Sequence, residues 1–191
     1  RVFHVGSLSL TDDPSRTATY EAINIARNSG AVISYDPNYR AALWSDPETA
    51  QLRMQSLIPY VDMMKISDEE TSLLTPYQDP EEAIQYLLRQ GVHLVAVTLG
   101  RDGALIGNEN GIVKAEGFSS HAVDTTGAGD SFWGGFLASY LQEETSPEHL
   151  TRAQMIQFGR VGNAVASLCV ERRGGISAIP EMEEIEERLR G

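Results

Sequence analysis

Cysteine, histidine and basic residues are what this chain of 191 residues has least of: one Cys, four His, and fifteen Lys and Arg against twenty-seven Asp and Glu. A lone Cys169 cannot close an internal disulfide, so nothing points to secretion. It lies in the apolar run Ala164 to Val170 and reads as a core residue rather than a nucleophile. His4, His93, His121 and His149 are scattered without the spacing of a metal site. The formal net charge of -12 argues against a nucleic-acid or anionic-membrane surface, although a local positive pocket for a nucleotide remains compatible with it. No apolar run is long enough to span a bilayer, and no signal-peptide pattern is present. There is no Gly-x-x-x-x-Gly-Lys-Ser/Thr loop, no dinucleotide fingerprint around Gly127, Gly129 and Gly134, and no Gly-x-Ser-x-Gly elbow. P-loop, dehydrogenase and hydrolase readings thus lose their usual supports. With 41% hydrophobic and 22% charged residues, the composition is that of a soluble globular protein. The expectation is a cytoplasmic chain forming one domain over residues 1–191.

Along the chain, short apolar strands alternate with helices. Val2 to Leu8 reads as a strand, followed by a helix opened by Pro14-Ser15-Arg16 with Asp13 at its cap. Ala31 to Tyr35 is the next strand, then a helix from about Pro47 to Ile58, then a strand over Val61 to Ile66. Ser67-Asp68-Glu69-Glu70 caps a short helix ending near Leu74, and Pro80 to Gln90 is another helix, closed by Gly91. His93 to Leu99 is β-branched and strongly apolar, as a buried parallel strand should be. Such alternation means right-handed crossovers and a mostly parallel sheet flanked by helices, an α/β fold. The pattern then changes to a hairpin, Gly103 to Ile106 and Ile112 to Ala115 around Asn108-Glu109-Asn110-Gly111. Helices over Gly129 to Gln142, Thr151 to Val170 and Pro180 to Arg190 finish the chain. The first residue is Arg, and Val2 to Val5 reads at once as a buried strand with no lead-in. This is the expectation of a piece of a longer protein whose N-terminal part is missing. The first strand should then stand as an open edge, or be paired with another chain or segment.

Asp124-Thr125-Thr126-Gly127-Ala128-Gly129-Asp130 precedes an apolar helix. Small residues at 127 to 129 leave backbone N–H groups free where the helix begins, and the positive end of the macrodipole adds to them, which makes an anion site. A carboxylate inside such a turn, Asp130, has one good use: abstracting a proton beside a transferring phosphoryl group. The alternative is a helix cap with a glycine turn. In open parallel sheets ligands bind beyond the C-terminal ends of strands. Asp36-Pro37-Asn38-Tyr39-Arg40, Ser67 to Glu70, Thr98-Leu99-Gly100 and Gly127 to Asp130 all fall just past strand ends. That convergence favours phosphoryl transfer, with Gly127, Ala128 and Gly129 as the cradle, Asp130 as the base and Glu70 as an indirect hold on Mg2+.

Asp124 to Phe132, with Gly134-Gly135-Phe136 behind it, resembles the C-terminal signature of the ribokinase-like (PfkB) sugar kinases. Gly6-Ser7-Leu8-Ser9-Leu10 with Pro14-Ser15-Arg16, and Asp36 to Arg40, are similar to the fructokinase branch. Lys65 to Glu70 resembles that family's Asn-x-x-Glu segment, with Ser67 standing where the broader pattern has Asn. Val97 to Ala104, Gly103 included, resembles its nucleotide-side strand and turn. The resemblance covers essentially the whole chain and matches the later part of a complete member. It implies an ATP-dependent carbohydrate kinase with a sugar and ATP as small-molecule partners, Mg2+ as cofactor and K+ as a candidate second ion. Asp130 would take the proton from the sugar hydroxyl, and the N–H groups of Gly127, Ala128 and Gly129 would stabilise the transferring phosphoryl. Asp124 and the Thr126 backbone would help hold the monovalent cation, completed by groups near Cys169, Arg172, Gly174 and Ser177. Glu70 would organise Mg2+ through water. Ser67, Thr98, Gly100 and Gly103 would line the nucleotide, Asn163 would lie beside adenine, and Arg40 would meet phosphate or sugar. Fructose is the expected acceptor. 2-Keto-3-deoxygluconate kinase, ribokinase, and a nucleotide-binding fragment inactive without its N-terminal part are the alternatives. No nucleic-acid or membrane partner is expected. A homodimer, or pairing with the missing segment, is the expected assembly.

Plainer readings stand beside these. Glu70 serves equally as a first-turn acid complementing a helix dipole. Arg40 serves as a surface ion-pair residue and Asn163 as a solvent-facing helix residue. Phe132, Trp133 and Phe136 read as helix core, and Glu181, Glu183, Glu184, Glu186 and Glu187 as a solvated acidic face.

Overall fold

Turn chemistry in the sequence sets most helix starts. In the computed structural model, which describes all of Arg1–Gly191, Asp46 accepts from the Thr49 N–H ahead of Pro47, and Asp79 accepts from the Glu82 N–H ahead of Pro80. Both are acid caps followed by a proline whose missing donor costs a helix nothing at that position. The chain gathers into two units, Arg1–Val97 and Thr98–Gly191.

The first unit alternates strand and helix: β1 (Val2–Gly6), α1 (Ser15–Asn28), β2 (Val32–Asp36), α2 (Pro47–Gln55), β3 (Met63–Ser67), α3 (Thr71–Leu74), α4 (Pro80–Arg89) and β4 (Leu94–Thr98). The strands lie in chain order. β1 runs parallel to β2 with Val2 opposite Val32 and Gly6 opposite Asp36, and β2 runs parallel to β3 with Ser34 opposite Met63. Ile33, Tyr35, Met63, Met64, Ile66 and Leu94 to Val97 have no exposed surface, as strands covered on both faces require. α4 buries Ala83, Ile84 and Leu87, one stripe at helical spacing. α2 stops at Gln55, short of the expected Ile58, and a 3-10 turn takes over Ile58–Tyr60. Pro59 explains this, because it has no N–H to donate to the Gln55 carbonyl four residues earlier and its ring crowds that carbonyl. At the start of α1, Asp13 accepts from the backbone N–H of Thr17 at 3.2 Å and from its hydroxyl at 2.7 Å, while Pro14 occupies the cap position. β1 ends the strand order and pairs only with β2, so it is an open edge. Beside it, Phe3, Val5, Ala18 and Ala22 help to line a shallow groove of about 410 Å³.

The second unit holds an antiparallel hairpin and three helices: β5 (Ala104–Asn108), β6 (Gly111–Ala115), α5 (Ala128–Tyr140), α6 (Arg152–Cys169) and α7 (Met182–Arg190). Asn108 pairs with Gly111 at the hairpin tip, and the Asn108 amide donates to the carbonyls of Pro147, Glu148 and Leu150. α5 and α6 pack closely. A methyl on Gly135 would sit 3.1 Å from Gly162 Cα and 2.9 Å from Val165 Cγ2, and one on Gly162 would sit 2.6 Å from the Phe132 carbonyl oxygen. The two glycines therefore let the helix backbones touch. Around this crossing Trp133 stacks on Phe136 with ring centres 5.0 Å apart, and Phe158 meets Phe136 edge-on. Phe132, Trp133 and Phe136 are core, as the sequence suggests. α7 begins at Met182, behind a capping box in which the Glu184 carboxylate accepts from the Glu181 N–H at 2.9 Å. The class is α/β, mostly parallel, with one small antiparallel hairpin. No helix is long and apolar enough to cross a membrane.

Candidate functional site

Two polar clusters occupy the expected strand-end and helix-start positions, one in each unit.

In the second unit, Gly127 caps α5 with φ 77°, the left-handed region, and brings no side-chain acceptor to the helix start. A Cβ there would press on Gly175 Cα at 3.2 Å, so glycine is demanded by both conformation and space. First-turn N–H groups have no intrahelical acceptor. Of the three expected cradle residues, Ala128 turns its N–H back to the Thr125 carbonyl at 3.2 Å, a turn bond that leaves Gly127 and Gly129 the larger share of any anion contact. Asp130 stands exposed in the first turn of α5.

Asp124 ties this turn to the segment after α6. One carboxylate oxygen accepts from the Thr126 N–H at 2.9 Å and the other from the Gly174 N–H at 3.0 Å. These bonds, with Arg173 nearby, hold its carboxyl down at about 2. The Asp124 and Val123 amides donate to the Val170 carbonyl, and the buried Cys169 thiol faces the Thr126 carbonyl at 3.9 Å. Asp124, Thr126, Cys169 and Gly174 are thus brought together. The Ser177 hydroxyl donates to the Arg173 carbonyl at 3.5 Å. The Arg172 side chain leaves the loop to pair with Glu184, which raises the guanidinium's pKa. The Arg172 backbone N–H donates to the Cys169 carbonyl at 3.1 Å.

Asn163 is buried, and its amide donates to the carbonyls of Ala115 at 2.9 Å and Glu116 at 3.0 Å. The solvent-facing alternative is therefore corrected: on α6, this position faces the end of β6, and a polar side chain there is needed to satisfy two strand-end carbonyls. Thr98 is half-buried at the end of β4. Gly100 and Gly103 have positive φ, and Gly103 is so tightly packed that a Cβ would lie 2.1 Å from the Ala115 carbonyl oxygen.

In the first unit, Glu70 is buried with both carboxylate oxygens occupied. One accepts from the Tyr39 N–H at 2.8 Å; the other accepts from the Ser67 N–H at 2.9 Å and from the Ser67 hydroxyl at 3.2 Å. Ser67 and Glu70 form a capping box, and the Tyr39 contact goes beyond capping. Arg40 is exposed and donates to the Tyr39 carbonyl at 2.9 Å, not to a carboxylate as the ion-pair alternative holds. Sequence reasoning missed Lys65 and Asp36, a buried ion pair at 3.0 Å. The available signal was a lysine inside the apolar run Met63-Met64-Lys65-Ile66, since a buried charge demands a partner.

No group of three or more His, Cys, Asp or Glu side chains is arranged to hold a metal ion. The occupied oxygens of Glu70 suit contact through water rather than direct chelation of a divalent ion. The 124–127 and 169–177 segments offer one firmly anionic carboxylate together with backbone carbonyls, a donor set of the hard oxygen kind that fits a simple cation.

The pfkB family carbohydrate kinase model matches residues 1–182. The chain is 36% identical over 193 residues to a probable fructokinase-4 of Arabidopsis thaliana, covering all of this chain and 58% of that protein. It is 34% identical over 192 residues to fructokinase-2 of Solanum lycopersicum, again covering 58% of it. It therefore spans little more than half the length of these curated relatives. Among solved structures, a fructokinase of Vibrio cholerae O395 with fructose, ADP and calcium bound matches with a TM-score of 0.90 at 32% identity, over 98% of this chain and 60% of that one. An aminoimidazole riboside kinase of Salmonella enterica, complexed with aminoimidazole riboside and an ATP analogue, matches with a TM-score of 0.88 at 26% identity, over 100% of this chain and 63% of that one. With the family model covering nearly the whole chain and the signature turn opening α5, the chain belongs to the pfkB family of carbohydrate kinases.

Proposed function

We propose that the full-length protein is an ATP-dependent sugar kinase of the fructokinase type, moving the γ-phosphoryl of ATP to a primary hydroxyl of a hexose. The observation that carries this reading is the start of α5: a left-handed glycine cap without a side-chain acceptor, and a carboxylate in the same turn. Asp130 accepts the proton of the attacking hydroxyl as its oxygen closes on phosphorus in line with the leaving oxygen. The Gly127 and Gly129 amides, with the dipole of α5, stabilise the charge on the transferring phosphoryl oxygens, and Ala128 contributes in proportion as its turn bond yields. Mg2+ supplies charge neutralisation on the phosphates when bound, and Glu70 orients its waters. Asp124, Thr126 and the backbone of residues 169–177 would hold a monovalent cation of the K+ type, which would offset the carboxylate charge and steady the turn. Ser67, Thr98 and the turn at Gly100 and Gly103 line the nucleotide, and Arg40 meets its phosphates or the sugar. Asn163 shapes the adenine side by fixing the chain at 115–116.

The fructokinase relatives and the Vibrio neighbour's bound fructose favour a ketohexose; 2-keto-3-deoxygluconate and ribose are the next acceptors to try. A coupled assay of ADP release with full-length protein and each sugar tests the reading. ADP release that fructose does not raise above the sugar-free rate would sink the fructokinase assignment, and no response to any of the three would sink the kinase. A second reading applies to residues 1–191 alone: nucleotide binding without turnover. It is favoured by the open edge of β1 and by the share of the relatives that these residues span. Phosphorylation of fructose by this segment alone would exclude it.

A further inference from the structure

Lys65 and Asp36 are almost without solvent contact, their side chains 7% and 4% exposed. A buried ion pair is a poor source of stability, because desolvation cancels most of the attraction and an apolar pair of similar volume often does as well. Its place in the fold suggests another use. Lys65 Nζ donates to Asp36 Oδ2 at 3.0 Å, and Asp36 Oδ1 accepts from the Asn38 N–H at 3.0 Å. Asn38 has φ 49°, the one non-glycine residue in the left-handed region; asparagine tolerates this conformation better than other side chains do, and the bonds on either side of it fix it here. The next amide, Tyr39 N–H, donates to Glu70 Oε1. On the other side of the turn, Ser7, through both its N–H and its hydroxyl, donates to the Pro37 carbonyl. A continuous line of bonds therefore runs from the Lys65 ammonium through the carboxylate of Asp36 and the 36–39 turn to the carboxylate of Glu70.

We propose that Lys65 and Asp36 are positioning residues for Glu70: the ammonium aims the Asp36 carboxylate, the carboxylate sets the left-handed turn at Asn38, and the turn points the Tyr39 N–H that fixes one oxygen of Glu70. The consequence for catalysis rests on the reading in which Glu70 orients the waters of Mg2+; the positioning itself does not.

The test uses the full-length protein carrying Asp36→Ala and Lys65→Met together, so that neither charge is left buried without its partner. Hydrogen exchange at the Tyr39 amide should become roughly five- to tenfold faster, the change expected from losing one hydrogen bond, with the amides of α4 and β4 as in wild type. The Mg2+ concentration giving half-maximal rate should rise by a similar factor while KM for fructose stays put. Unchanged exchange at Tyr39, or faster exchange throughout the first unit alike, overturns the proposal, since a pair that merely fills space would give one or the other. If the alanine variant does not fold, Asp36→Asn with Lys65→Met carries the same test, because an amide without the lysine to aim it should also release Tyr39. Glu70→Gln separates the two readings: if it leaves the Mg2+ response as in wild type while the paired variant still releases Tyr39, the positioning stands and the magnesium role of Glu70 falls.

Discussion

Gly174 donates its backbone N–H to Asp124 Oδ2 across fifty residues of sequence, joining the turn before α5 to the segment after α6. The Asp124 carboxyl is held at about 2, below its ordinary 3.8, first by the Gly174 amide and then by Thr126. A carboxyl lowered on folding contributes stability that is fully present above its unfolded value and is lost as pH falls through the folded one. Asp124→Asn keeps the shape but places an NH2 donor against one of two N–H donors. It should lower Tm at neutral pH, and the gap from wild type should hold steady above about pH 5 and narrow toward pH 2. Thermal unfolding of both proteins across that range checks this. A gap independent of pH would show that the charge of Asp124 contributes nothing.

On the proposed mechanism, Asp130→Asn removes the proton acceptor and leaves the start of α5 intact. Turnover should fall by about 10²- to 10⁴-fold, with ATP affinity by calorimetry within a small factor of wild type. A rate comparable to wild type would end the assignment of Asp130 as the base.

Gly127→Ala introduces a side chain at φ 77° and 3.2 Å from Gly175 Cα. The left-handed conformation alone costs about 1–2 kcal/mol, and the contact with Gly175 must also be relieved. The variant should unfold at lower denaturant concentration, and on the proposed mechanism its kcat should drop more than its stability loss explains, because the amides assigned to the phosphoryl group move with the cap. Denaturant titration alongside steady-state kinetics separates the two effects.

Asn163→Ala leaves the Ala115 and Glu116 carbonyls without their buried donor. The expected cost is about 1–3 kcal/mol, read as a lower midpoint in chemical denaturation. Asn163→Asp should be worse at neutral pH, since a carboxylate would face two carbonyl oxygens. A midpoint equal to wild type for both variants would mean that water replaces the amide at no cost.

Much of this architecture was legible because local signals and burial agree. Asp46-Pro47 and Asp79-Pro80 announce helix starts that the fold keeps, and the β-branched run Val95 to Thr98 is a fully covered strand until its last residue. The turn at Asn110-Gly111 closes the hairpin where the chain suggests. What the chain did not disclose depends on partners distant in sequence. Asn163 is an ordinary polar residue on α6 until β6 is placed beside it. Lys65 reads as a break in an apolar strand until Asp36, twenty-nine residues earlier, is found to meet it. Arg172 belongs by sequence to a loop with a suggested cation role, yet its side chain is drawn to Glu184 on α7. The end of α2 shows the opposite case, where local chemistry at Pro59 overrides a pattern that otherwise runs on to Ile58.

The close approach of Gly135 to Gly162 fixes α5 against α6. Asp130 stands five residues before Gly135 on α5, a lever arm of about 7.5 Å at 1.5 Å per residue. A tilt of about 10° around the crossing would carry the first turn roughly 1.3 Å, on the order of the misplacement that costs two powers of ten in rate. Side chains in place of the glycines would push the helices apart and lengthen that arm's freedom to swing. The small residues behind the signature turn thus set where that turn stands, and on the proposed mechanism a side chain at Gly135 or Gly162 would displace residue 130 as well as strain the helix crossing.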